Sequence, residues 1–183
     1  MKINEVFDVL ARYALVLVSA LNNLGIFYLA FAPLTIYPVF WILNLFYSAS
    51  LSGNIVMIYS GNSGFGIELV DACIAGFAYF LLFALNLATR GIKLKTRALS
   101  LLFSFAAFLL LNIIRIVVLS VLYLNNYAYF DIVHSLLWNV LSTLLVVAIW
   151  FLSAWLFRVK EFPGYSDLRF VYKSINPQKR KRR

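Results

Sequence analysis

The stretch "NIIRIVVLSVLYL" (Asn112–Leu124) decides how the chain is read. It belongs to an apolar run long enough to cross a bilayer, which takes about 20 residues, yet it carries Arg115 in its midst. A charged side chain at membrane depth costs about 2.5–3.5 kcal/mol on insertion scales, so it is normally paired or put to use. The meaning of Arg115 therefore depends on where the other charges lie.

They are few. Of 183 residues 63% are hydrophobic and 13% charged, with a mean hydropathy of +0.89. Soluble domains are about 25% charged, so the composition points to an all-α integral membrane protein. It reads as one polytopic unit over residues 1–157 followed by a basic tail, 158–183, with no tandem repeats. The N-terminus places Glu5 and Asp8 before its first apolar run and offers no small-residue cleavage site ahead of Leu21. That favours a retained span over a cleaved signal peptide. A single cysteine, Cys73, excludes an internal disulfide framework and a cysteine metal cluster within one chain.

About four spans are expected, near Leu10–Phe31, Ala72–Ala88, Ala98–Leu124 and Ile132–Phe157. Arg90, Lys93, Lys95 and Arg97 separate the second from the third, and nine basic residues follow Phe157. Short loops rich in Lys and Arg stay cytoplasmic. With Lys2 and Arg12 also inside, all of the 16 basic residues but Arg115 fall on the cytoplasmic side of a multi-pass cell-membrane protein. The outer side holds Glu68, Asp71 and Asp131 and no Lys or Arg. Arg115 is thus no topology signal.

Residues 33–52 contain Pro33 and Pro38, and from Pro38 to Leu51 the run is short for a span. They read as a helix lying at the outer interface, where Tyr37, Trp41 and Tyr47 are at home. Should it span instead, the N-terminus moves outside. Residues 54–71 read as a small extracytoplasmic β-hairpin. Ile55–Tyr59 is β-branched and aromatic, Phe65, Ile67 and Leu69 alternate with Gly66 and Glu68, and "SGNSG" lies between.

Three reactive side chains fall towards this outer face. Cys73 follows Asp71, a good N-cap for the second span, and the first turn of a helix favours thiolate. Asp131 is placed to cap the fourth span, with His134, the only histidine, in its first turn. Arg115 lies nine residues inside the end of the third span, about 13 Å deep, with a side chain that can snorkel outward. Asn112, three residues before it, shares its face and can orient the guanidinium. Singly, a membrane cysteine or histidine is more often packing than chemistry. Together, thiol, imidazole and guanidinium are the parts of cysteine acyl transfer: nucleophile, proton shuttle and oxyanion stabiliser.

Cys73 after a hairpin, Arg115 in "NIIRI" and His134 at the start of the last span resemble the exosortase/archaeosortase family of membrane transpeptidases, over Leu10 to Phe157. Members often carry Thr or Ser and then Gly directly after the cysteine. Here Ile74 and Ala75 follow, with Gly76 one place later. The resemblance implies a protein-sorting enzyme that cleaves, at the outer face, secreted substrates bearing a C-terminal motif, a transmembrane helix and a basic cluster. The new C-terminus would pass to an acceptor: lipid, amine or water. It implies Cys73 as nucleophile, His134 as general acid or base, Arg115 as oxyanion stabiliser, and Asn112, Asp131 and Asp71 as supporting residues. No metal or organic cofactor is called for. Small residues such as Ala75 and Gly76 are candidates to line the path of an entering substrate helix.

The tail "KSINPQKRKRR" reads as a cytoplasmic anchor on anionic lipid, needing no nucleic acid. The competing reading is a non-enzymatic transporter subunit or assembly factor with Arg115 in a polar path, drawing on Asn22, Asn23, Asn86, Asn139, Ser142 and Thr143. Zinc-protease, serine-hydrolase and phosphate-loop motifs are absent from the sequence.

Overall fold

The computed structural model describes residues 3–21, 24–60, 63–89, 91–159 and 163. Helices dominate: α1 (Ile3–Leu21), α2 (Gly25–Phe46), α3 (Asp71–Ile74), α4 (Gly76–Leu87), α5 (Leu94–Leu124), α6 (Phe130–Leu136) and α7 (Ser142–Leu156). Strands β1 (Ser48–Ser52), β2 (Ile55–Ser60) and β3 (Ser63–Glu68) stand between α2 and α3. A π-helical turn, Leu137–Leu141, joins α6 to α7. Two helices, α2 and α5, are long and apolar enough to cross a membrane, and Asp71–Leu87 and Ser142–Leu156 are shorter apolar segments.

The first expected span, Leu10–Phe31, is in fact parts of two helices. α1 ends at Leu21, and Leu24, in the left-handed region with φ 58°, precedes a new helix. That helix runs through Pro33 and Pro38 to Phe46. Most of the stretch expected at the interface, 33–52, is therefore the second half of a spanning-length helix. Proline breaks helices in water, but neighbouring helices can cover the backbone groups it frees in an apolar bundle. Here Thr35, Val39 and Leu43, around the two prolines, are fully buried.

The expected hairpin is a three-stranded antiparallel sheet in the order β1-β2-β3. The extra strand, "SASLS", pairs Ser52 with Ile55 across a two-residue turn whose Gly53 takes φ 62°. Glycine at the first turn position suits this tight connection. The sheet does not stand free. Val56, Ile58 and Leu69 pack with Val39 and Leu43 of α2 and with Ile113 and Ile116 of α5 in one buried cluster. A second cluster joins Phe27 of α2, Ala78, Tyr79 and Leu82 of α4, Phe108 of α5 and Val146 and Ile149 of α7. The Phe31 ring lies flat on Tyr79, with centroids 3.6 Å apart.

α5 is the axis of the bundle. Ser100, Ser104, Phe108, Asn112, Ile116 and Ser120 recur every four residues and are all buried. Small and polar side chains on such a ridge let helices approach closely where lipid offers no hydrophobic drive. At one end Asn86 Nδ2 donates to Ser100 Oγ at 2.8 Å, and the Ser100 and Ser153 hydroxyls pair at 2.8 Å. These bonds tie α4, α5 and α7 together.

The same end of α4 is held by two arginines. Arg97 donates to the carbonyls of Asn86 (2.6 Å), Leu87 (3.1 Å) and Thr89 (2.9 Å), and Arg12 to Leu87 (2.8 Å) and Thr89 (3.5 Å). Asp8 accepts from Arg12 Nε at 3.1 Å. Cations suit the negative end of a helix, and these satisfy carbonyls that α4 leaves unpaired. Because the two share acceptors, either one cushions loss of the other. Each single change to alanine is expected to lower unfolding stability in detergent by about 1.5–3 kcal/mol, and the double change by more than the sum. An additive double variant in thermal unfolding would show that the clamps act separately. Of the expected basic tail, all but Arg158, Val159 and Pro163 lies outside the described residues.

Candidate functional site

Cys73, Arg115 and His134 line one cavity of about 300 Å³. Its walls are β3 and the segment after it (Gly66–Val70), the C-terminal part of α5 (Ile116, Leu119, Ser120, Tyr123), and Phe130 and Trp138 beside His134. Three elements distant in sequence thus deliver the thiol, guanidinium and imidazole to one space.

Cys73 is half-buried in α3, a helix of only four residues. α3 ends at Ala75, whose left-handed φ of 59° breaks it from α4. The helix-dipole argument for this thiol therefore weakens, because one turn carries little of the dipole of a full span. Asp71 is not the cap: Val70 holds that position, and Asp71 is the first residue of the turn, exposed and off the cavity. Both Arg115 and Glu68 lie within electrostatic reach of the thiol. Gly76, expected near the substrate path, instead seats the Tyr28 ring, and a Cβ there would meet it at 2.7 Å. Neither Ala75 nor Gly76 lines the cavity.

Arg115 is 9% exposed and makes no ion pair among the described residues. One terminal nitrogen donates to the Ser142 hydroxyl, while Nε is buried without a partner. A buried donor with no acceptor costs about 1–3 kcal/mol or more, and this one belongs to a side chain facing the cavity. Asn112 does not orient the guanidinium. Its Nδ2 donates instead to the Cys73 backbone carbonyl at 2.9 Å, so it fixes the turn that bears the thiol.

His134 is half-buried in α6, stacked on Phe130 (5.5 Å, 15° between planes) and edge-on to Trp138 (6.0 Å). The two rings hold the imidazole against the cavity wall. Asp131 is exposed in the first turn of α6 and does not cap it; Tyr129 precedes the helix and no side chain bonds its end.

Sequence reasoning assigned Ser142 to a polar path and missed it as the partner of Arg115. Its hydroxyl accepts from Arg115 and donates to the Leu137 carbonyl five residues back, at 3.1 Å. That five-residue reach is the spacing of the π-turn, a distortion common at functional sites. The turn thereby couples the helix of His134 to the guanidinium. Ser142→Ala is expected to reduce any Arg115-dependent turnover about tenfold, the size of one lost hydrogen bond to a charged group. Ser142→Thr, which keeps the hydroxyl, is expected to stay near wild type. Equal turnover in the alanine variant would make Ser142 a bystander.

Among the described residues no group of three or more His, Cys, Asp or Glu side chains could hold a metal ion. Cys73, His134 and Arg115 bring a thiol, an imidazole and a guanidinium with one buried unpartnered nitrogen to a single cavity; groups of these types can attack a carbonyl, exchange protons and meet negative charge. Comparison with family models, with curated proteins and with solved structures finds no match for the chain.

Proposed function

We propose that the chain is a membrane-embedded cysteine transpeptidase or protease that cleaves C-terminal sorting signals of secreted proteins. The observation that carries this is the convergence of Cys73, Arg115 and His134 on one cavity. In this reading α2, α3–α4, α5 and α6–α7 are four spans of the cell membrane, with the sheet and cavity outside. The basic residues Arg12, Lys93, Lys95 and Arg97 then lie at the inner end, in keeping with the positive-inside rule. Outward-facing Leu29, Leu45, Leu102, Leu110 and Phe151, all at least half exposed, suit contact with lipid.

The steps follow from the groups. Cys73 Sγ attacks the scissile carbonyl carbon as His134 takes the thiol proton. The carbonyl oxygen gains the negative charge, which Arg115 stabilises. Collapse breaks the C–N bond, His134 protonates the leaving amine, and a thioester on Cys73 results. An acceptor (lipid, amine or water) adds to that thioester and regenerates the thiol. Asn112 would serve this cycle by fixing the Cys73 turn.

The polar-path reading finds less support. Asn86, Ser100 and Ser153 form one hydrogen-bonded set. On α5 the buried Phe108, edge to face with Tyr79 at 5.0 Å, stands in sequence between Ser100 and Arg115. Asn22 and Asn23 lie outside the described residues.

The test begins with secreted proteins of the same genome that end in a shared short motif, an apolar helix and a basic cluster. Co-expressed with the wild-type chain in cells lacking it, such a protein is expected to lose its C-terminal signal. Retention of the signal on every candidate would overturn the assignment.

A further inference from the structure

The cavity is flanked by an unpaired strand edge. β3 pairs with β2 on one side only, and among the described residues no strand lies on the other. Gly66, Ile67, Glu68, Leu69 and Val70 all line the cavity. Gly66, Ile67 and Glu68 belong to β3, and successive residues of a strand point to opposite faces of the sheet, so three in a row border one space along the strand's edge.

The register tells which backbone groups face outward. The Leu69 amide donates to the Asn54 carbonyl at 2.9 Å, one step beyond the Ile55–Glu68 pair. Bonded and non-bonded pairs alternate along an antiparallel ladder. Ile67 and Phe65 therefore bond to β2, while Glu68, Gly66 and Gly64 turn their N–H and C=O groups to the free edge. Among the described residues these groups have no partner. Edges of this kind accept an added strand readily unless something blocks them. Here no lysine or proline stands on β3, and two of its six residues are glycine.

We propose that this edge docks an extended peptide by strand addition and leads it to Cys73, the inference resting on the transpeptidase reading only for the peptide's identity as substrate. Cys73 lies five residues beyond Glu68 on the same wall, and Arg115, whose Nε is buried without a partner, lines the same cavity. A substrate whose C-terminal helix sits in the bilayer runs from outside inward, as β3 does, so the added strand is parallel to β3. Main-chain bonds supply the hold, and the side chains pointing into the cavity supply selection. One face meets Glu68; the other meets the apolar wall of Ile116, Leu119 and Trp138.

The single cysteine makes the test direct, because alkylation reports on Cys73 alone. The probe is acetyl-tetra-alanyl chloromethyl ketone on the full-length chain in detergent. The S–C bond forms, chloride leaves, and the thiol proton goes to solvent, so no turnover is needed. Two N-methylated isomers, each blocked at alternate amides, serve beside it, with iodoacetamide as a reagent that has no strand to add. One isomer is expected to label about tenfold more slowly than the parent, as loss of one or two backbone hydrogen bonds requires, and the other at the parent rate. Gly66→Pro removes one outward N–H and is expected to slow the peptidyl reagent about tenfold while leaving iodoacetamide unchanged. Gly66→Ala controls for the added Cβ, which meets the flexible Met57 sulfur at 3.2 Å, and is expected to label like wild type. Equal rates for all three peptidyl reagents overturn strand docking, whatever Gly66→Pro does to folding. If substrate is processed but the isomers do not differ, the strand is wrong and the enzyme stands. If the isomers differ but nothing is processed, the reverse holds.

Discussion

Cys73→Ala is expected to abolish substrate processing while leaving insertion and protein level intact. The thiol is half-buried, so its removal takes away one atom at the edge of a cluster and opens little cavity. The Asn112 bond to the residue-73 backbone carbonyl survives the change, so the turn keeps its anchor. Chemistry does not survive it. Loss of a covalent nucleophile costs about a million-fold where it has been measured in hydrolases, far below detection in cells. Processing is read as the shift of an epitope-tagged substrate, and trapping of a Cys73-linked, hydroxylamine-labile substrate fragment gives the direct counterpart. Full processing by the alanine variant in cells lacking the native protein would rule out a Cys73 thioester.

Arg115→Lys separates a structural charge from a catalytic one. If Arg115 only anchored a helix at depth, lysine would keep its charge and most of its reach, and function would persist. The geometry asks for more. One nitrogen is committed to Ser142 while Nε stays free in the same planar group. A single ammonium cannot hold the serine and also present a second, fixed donor, and it gives up its proton more readily in a dry site. Losing one oxyanion donor typically costs about 100- to 1000-fold in turnover, or about 3 kcal/mol. The lysine variant is therefore expected to insert, to co-purify with substrate, and to process it at that much lower rate. Near-native processing would sink the oxyanion role and leave Arg115 as structure.

Much of the candidate site is legible in the sequence, because its residues are chemical outliers in an apolar chain. One thiol, one imidazole and one arginine clear of every basic cluster stand out without knowledge of their neighbours. The errors came where contacts are long-range. Asn112 sits one turn from Arg115 on α5, so a local reading paired them. Its true partner, the Cys73 carbonyl, is 39 residues away. The two aspartates looked like caps because Asp favours that position, yet the backbone enters both helices at Val70 and Tyr129 instead. The prolines of α2 looked like breaks for the same reason: propensities are scaled to water, whereas α2 has its backbone shielded by the bundle.

Hydropathy and charge act locally, through transfer of each segment out of water. They marked the chain as apolar and helical and placed its basic residues in clusters, with Arg115 standing apart. Packing decided the rest, since it depends on which surfaces meet. It ran α2 straight through its prolines, added β1 to the sheet, and left the edge of β3 open beside the thiol. It also brought Ser142 to Arg115 through a π-turn that no helical periodicity announces. A hydrogen bond to a buried guanidinium exists only once two distant helices have docked, and no local pattern of residues encodes that distance.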